Sequence, residues 1–279
     1  MGPGDHDPMN EKLRLEALMR ERPHDIALRE AYFDCLTQIS RSHLGAIFVK
    51  LPEIQASLMF RSATSDILNL TNIFSYAEDI SKYIYGVYGF AMPEPRRILD
   101  IGAYCGYSAI YFAHRFPDAE IICIEPPGAN FDTLVANTAV YANIQRIAAA
   151  VWPTHAEIVA TGHHSGDWGN LYGEVKDSSL QPTIPGYTID EVLEMVGWDR
   201  VDFIKCQPEN VVVDVLCSGE RKWLRGVSCF CAIKPGGTWP RAGDDKRLEA
   251  EFPDALFRTT IHDNGLHVFI RRGAEAAAP

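Results

Sequence analysis

Two carboxylates, a pair of glycines and a lysine–glutamate pair carry most of the chemistry this sequence could perform. Asp100, Gly102 and Gly106 fall in residues 98–108, ILDIGAYCGYS, where an apolar run ends in an acid and a glycine-spaced turn. Ile98, Leu99 and Ile101 suit a buried parallel strand, which reads as a nearly continuous apolar run. The two glycines allow a sharp turn and a close approach of backbone to a ligand. From Tyr107 the side chains Ile110, Tyr111 and His114 recur at helical spacing. A loop at the carboxyl end of a first strand is where open α/β sheets bind ligands. Tyr104 and Tyr107 either edge such a ligand or pack in the core. The spacing Gly102-x-x-x-Gly106 is not the dinucleotide G-x-G-x-x-G, and the Gly-Lys-Ser/Thr of a phosphate-cradling loop is missing.

The second carboxylate sits at the end of the next apolar run, residues 119–124, in Glu125-Pro126, roughly 20 residues past the glycine turn. An acid at that place can accept both hydroxyls of a ribose, so two spaced motifs on successive strands favour an adenosyl ligand. Lys205 and Glu209 follow the apolar run 201–206, on the expected reaction face. Glu209 could accept a substrate proton; as a structural acid it would pair with Lys205 or favour a helix N-terminus. His155, His163 and His164 lie in a polar stretch, 155–170, without the i, i+4 spacing of helical metal ligands. They read as solvated, with His163 a candidate proton acceptor because imidazole titrates near neutrality. No metal site is expected.

Composition narrows the setting. A formal net charge of −11 argues against a nucleic-acid surface. The 47% hydrophobic content suffices for a full core in one large α/β domain with an appendage. Seven cysteines without a C-x-x-C pair suggest reduced thiols and a cytoplasmic protein. No run reaches the length of a membrane span.

The elements that must position these residues come in order along the chain. Residues 11–21 and 25–40 read as two helices, the second capped by Asp25 and striped by Leu28, Tyr32, Leu36 and Ile39. They form a helical cap suited to a homodimer interface. Residues 47–90, rich in aromatics, read as a helical lid over the glycine loop. Residues 130–137 are a helix, 145–151 a third strand and 157–160 a short one. Thr188-x-x-Glu191 is a capping box opening a helix through Met195. A fourth strand at 201–206 leads into a helix at 209–216. A fifth strand at 228–233 carries Cys229 and Cys231 on one face, and a last helix spans 244–252. Asn264-Gly265 then marks a hairpin between 257–262 and 266–271.

In acid-x-Gly-x-x-x-Gly form, the first motif resembles that of class I S-adenosylmethionine methyltransferases. The segments CIEPPGANFDTLVANTAVY, AAAVW, GDWG, YTIDEVLE, VDFIKCQPEN and WLRGVSCFCAIKP resemble, in order, those of FkbM-type methyltransferases, from about residue 98 to 235. The resemblance implies a Rossmann-like doubly wound α/β sheet with a closing antiparallel hairpin. Residues 1–90 would be the N-terminal cap or lid and 91–273 the cofactor-binding domain. It implies S-adenosylmethionine as cofactor and methyl transfer to a hydroxyl of a sugar or secondary metabolite. Asp100 would orient the loop and meet the methionine amino group, or cap the amides of 102–106. Trp168, in Gly166-Asp167-Trp168-Gly169, would pack over the cofactor or anchor the loop. Gln207 and Lys234 stand where the family carries acids. Two lysines on one rim would prefer an anionic substrate. The alternatives are therefore a repurposed enzyme without methyl transfer and a non-catalytic cofactor- or partner-binding subunit.

Overall fold

The computed structural model describes residues 7–54, 56–74, 94–163, 169–175, 182–233, 241–261 and 266–273. The chain divides into two compact units, Met1–Val87 and Tyr88–Pro279.

In the first unit, α1 (Pro8–Glu21) starts on Asp7, whose side chain accepts from Met9 N–H. The second helix, α2 (Ile26–Ser42), starts on Asp25, which accepts from Leu28 N–H. The stripe Leu28, Tyr32, Leu36 and Ile39 is buried as its spacing requires. Tyr32 donates to Glu16 at 2.7 Å, and Lys12 pairs with Glu16 at 2.8 Å. The stretch expected to be a helical lid is only partly helical. An antiparallel pair, β1 (Ala46–Val49) and β2 (Leu58–Arg61), precedes α3 (Asp66–Phe74). These strands are only four residues long, too short to announce themselves by alternation. Tyr76, Tyr83, Tyr85 and Tyr88 lie outside the described residues.

The second unit is a seven-stranded sheet with helices on its flanks. The chain runs β3 (Arg97–Ile101), α4 (Tyr107–Arg115), β4 (Glu120–Glu125), α5 (Ala129–Thr138) and β5 (Ile144–Ala148). A small second sheet comes next, from β6 (Ala150–Val151), β7 (Ala156–His163), β8 (Asn170–Glu174) and β9 (Ile184–Tyr187). Then come α6 (Ile189–Met195) and β10 (Phe203–Cys206). A 3₁₀ turn at Glu209–Val211 leads into α7 (Val212–Cys217). The chain ends with β11 (Cys229–Ile233), α8 (Asp244–Glu251), β12 (Phe257–Ile261) and β13 (Leu266–Arg271). Sheet order is β12-β13-β11-β10-β3-β4-β5. The strands β5, β4, β3, β10 and β11 are parallel, and β13 and β12 close the edge as the antiparallel hairpin expected from Asn-Gly. Strand order reverses between β3 and β10, so their carboxyl ends form the crevice of a doubly wound sheet.

The two-residue period of the strands sorts the sheet into two faces. One carries Leu99, Ile101, Ile122, Ile124, Ile204 and Phe230 into the main core, with residues of α6, α7 and α8. There Phe230 stacks on Phe269 at 4.5 Å and meets Phe252 edge-on at 4.8 Å. The other face packs on α4, where Phe112 meets Phe203 edge-on at 5.5 Å. The cross-strand row Arg146, Cys123, Asp100, Lys205 and Cys231 lies on this second face. All seven cysteines are free thiols; Cys217 is half-buried and the other six are buried. Thr188 and Glu191 form the expected capping box at α6. Among the described residues, no helix is long and apolar enough to cross a membrane.

The stretch read as a polar loop, 155–170, is in large part β7, whose hairpin with β8 bulges between Ala160 and Gly162. The short strand read at 157–160 is the first half of β7; beyond it the bulge interrupts the two-residue period, and Thr161 and Gly162 are exposed.

Candidate functional site

The site grows from the carboxyl ends of β3, β4 and β10. Asp100 is fully buried (0% exposed), and its carboxylate is spent inside the protein. Ser108 Oγ donates to it at 2.5 Å and Lys205 Nζ at 2.7 Å. This ion pair comes from register, since Asp100 and Lys205 are direct neighbours on β3 and β10. Lys205, 4% exposed, also donates to the Gly102 carbonyl at 2.9 Å. A buried pair of opposite charges is tolerated only where further hydrogen bonds, here from Ser108 and to Gly102, support it.

After Asp100 the backbone enters the left-handed region three times, at Gly102 (φ 69°), Tyr104 (φ 52°) and Gly106 (φ 84°). Both glycines are needed, because protein atoms stand where each Cβ would project. A Cβ on Gly102 would lie 2.4 Å from the Gln207 carbonyl oxygen. One on Gly106 would lie 2.8 Å from Leu134 Cδ1 and 3.0 Å from Thr138 Cγ2, on α5. Tyr104 has no such freedom and holds a strained conformation. Its N–H donates at 3.0 Å to Glu125 Oε2.

Glu125 ends β4 and is 7% exposed. Burial pushes its carboxyl up to about 7, opposed by the Tyr104 N–H, the Asn130 amide and Lys205, and reinforced by Asp100. Asn130 Nδ2 reaches Glu125 Oε1 at 3.4 Å. A carboxylate offers about four lone-pair sites, so two donors, one of them distant, leave acceptor capacity for a diol. Pro126 continues the chain from the strand, half-buried.

The far wall is β8. Asn210 takes the place of a strand neighbour for Tyr172: its Oδ1 accepts from Tyr172 N–H at 3.4 Å and its Nδ2 donates to Tyr172 C=O at 3.1 Å. Burial, with Glu125 second, pushes the Tyr172 phenol up to about 12. Glu209 opens the 3₁₀ turn beside Asn210 and is 8% exposed.

The structure therefore brings Asp100, Gly102, Tyr104, Gly106, Glu125 and Lys205 together at the strand ends, with Tyr107 buried in the first turn of α4. It gives Lys205 intramolecular partners where the sequence suggested a reactive group. His163 ends β7, opposite Asn170 in register. Trp168, His164 and Lys234 lie outside the described residues. His155 has its Nδ1 3.0 Å from Glu191 Oε1 and its ring edge-on to Tyr187. Among the described residues, no group of three His, Cys, Asp or Glu side chains could hold a metal ion. Ser108, Tyr172 and Asn210 were not singled out from sequence. A hydroxyl in the first turn after the second glycine was a signal for Ser108; the Tyr172–Asn210 pair spans 38 residues and left none.

No family model matches the sequence. No curated protein matches it either. Among solved structures, the chain is similar to fibrillarin from Aeropyrum pernix with bound S-adenosyl-L-methionine, at 12% identity and a TM-score of 0.40, covering 63% of this chain and 66% of that one. It is similar to the Methanococcus jannaschii fibrillarin pre-rRNA processing protein at 12% identity and a TM-score of 0.42, covering 82% and 83%. A Podospora anserina methyltransferase with bound SAH gives 13% identity and a TM-score of 0.38, covering 64% and 73%.

Proposed function

We propose that the protein binds S-adenosylmethionine at the crevice between β3 and β10 and transfers its methyl group to a hydroxyl of a small molecule. Glu125 carries this reading. A buried carboxylate with unfilled acceptor capacity, at the end of the strand beside a glycine turn, suits a vicinal diol. Bound S-adenosylmethionine would supply an electrophilic methyl group for in-line displacement, so alignment and exclusion of water provide most of the acceleration.

The chain's own residues divide the remaining work. Glu125 accepts from the ribose hydroxyls, while Tyr104 and Pro126 border the adenosyl group and Tyr107 packs beneath the loop in the core. Asp100, Gly102 and Gly106 hold the loop, and Trp168 is the residue proposed to cover the cofactor. Glu209, with His163 as the other candidate, takes the acceptor proton as the new C–O bond forms. The anionic-substrate alternative loses one of its two cations, because Lys205 is committed to Asp100 and Gly102. A neutral hydroxyl acceptor fits better.

The test is calorimetry with S-adenosylhomocysteine, then labelled S-adenosylmethionine with a metabolite extract from the source cell. Saturable binding and label in a small molecule are expected. Absence of binding would overturn the adenosyl reading, and binding without transfer to any acceptor would point to a non-catalytic subunit.

A further inference from the structure

A lysine near a strand end ordinarily extends its ammonium to water along an apolar stem. Lys205 does the opposite, and the groups it meets suggest why. One proton is directed at Asp100 Oδ1 at 2.7 Å and another at the Gly102 carbonyl at 2.9 Å. On its other side the same loop is held by β4. The N–H groups of Gly102 and Ala103 donate to the Ile124 carbonyl at 3.0 and 3.1 Å, and that of Tyr104 donates to Glu125 at 3.0 Å. The loop thus hangs between two strands, its amides on β4 and its first carbonyl on β10. It also presses on the backbone after β10, where a Cβ on Gly102 would stand 2.4 Å from the Gln207 oxygen. A left-handed tyrosine inside this loop needs restraint from outside, because the conformation is unfavourable for a residue with a Cβ.

We propose that Lys205 is a positioning residue for the cofactor loop: by fixing the Gly102 carbonyl it keeps the Tyr104 N–H on Glu125 and so aims that carboxylate at the adenosyl group, and it does not act on the acceptor. This assignment rests on the adenosyl reading above. It explains why a lysine rather than an apolar residue faces Asp100. Neutralising Asp100 would need one donor, whereas the loop needs a second directed at Gly102.

The experiment compares the wild type, Lys205→Met and the double variant Asp100→Asn/Lys205→Met, which removes both buried charges together. Thr188→Ala serves as a control that destabilises the same unit at a helix cap away from the loop. Hydrogen exchange is measured at the amides of residues 103–106, and S-adenosylhomocysteine affinity by calorimetry. In the folded double variant, exchange is expected to be at least tenfold faster and Kd at least tenfold higher. Thr188→Ala should melt earlier with Kd unchanged. A double variant with wild-type exchange and wild-type Kd would overturn the proposal. So would loss of methyl transfer with both readouts unmoved, since Lys205 would then act on the acceptor. If the wild type itself binds no S-adenosylhomocysteine, the adenosyl reading fails, and the exchange measurement alone decides the brace: faster exchange supports it and unchanged exchange overturns it.

Discussion

Affinity for an adenosyl ligand should depend on pH through one proton on Glu125. Hydroxyl donors bind the ionised carboxylate, and burial holds the unliganded group near a pKa of about 7. About one molecule in eleven is then ionised at pH 6 and about ten in eleven at pH 8, so S-adenosylhomocysteine should bind about tenfold more tightly at pH 8. Most of that gain falls below pH 7. Stability moves the other way. The folded-state pKa lies above the reference value of 4.5, so the folded protein binds more protons than the unfolded chain between 4.5 and about 7. Stability without ligand therefore falls as pH rises through that window, by about 3 kcal/mol in all. Glu125→Gln keeps an acceptor for Tyr104 N–H but removes the charge. It should cost roughly 1.5–3 kcal/mol of binding and abolish the pH slope. Calorimetry at pH 6, 7 and 8 on both proteins measures each quantity. Equal wild-type affinity at pH 6 and pH 8 would refute the assignment of Glu125 to the ribose.

The remaining expectations concern packing, caps and metals. Gly106→Ala forces a Cβ against Leu134 and Thr138 at positive φ and should lower unfolding free energy by roughly 1–3 kcal/mol in urea titrations. Phe230→Ala empties the centre of an aromatic cluster and should cost about 3–5 kcal/mol; a smaller change would mean that Phe252 and Phe269 collapse into the space. Thr188→Ala removes one half of the α6 capping box and should cost about 1 kcal/mol by thermal melting. With no metal cluster among the described residues, EDTA should leave S-adenosylhomocysteine affinity unchanged; loss with rescue by Mg²⁺ would reveal a metal dependence.

What the sequence disclosed was local. The run ending at Asp100, the acid at Glu125, the Thr188 cap and the Asn264-Gly265 hairpin each sit within a few residues of the signal that marks them, and the structure carries the corresponding elements. The partners of those residues were hidden, because register sets them over long separations. Lys205 lies 105 residues from Asp100, and nothing near either position shows that the strands are neighbours. The glycines illustrate the same limit. Their spacing marks a tight turn, but nothing local shows that Gln207 and α5 stand against it. In the small sheet local patterning marked β7 only at 157–160 and missed β8, which reads Asn-Leu-Tyr-Gly-Glu and carries no run of β-branched residues.

The buried thiols make the protein its own clock for opening. In the folded state a colorimetric disulfide reagent meets at most Cys217, and slowly, because burial pushes that thiol up to about 11. Every faster or additional equivalent consumed must come from molecules that have opened. Cys123 and Cys231 flank Asp100 and Lys205 in register, so their alkylation, read by mass spectrometry, times the parting of the strands beneath the glycine loop. Cys35, in the first unit, times that unit separately. Two opening rates are thus readable from one unmodified chain without an introduced probe.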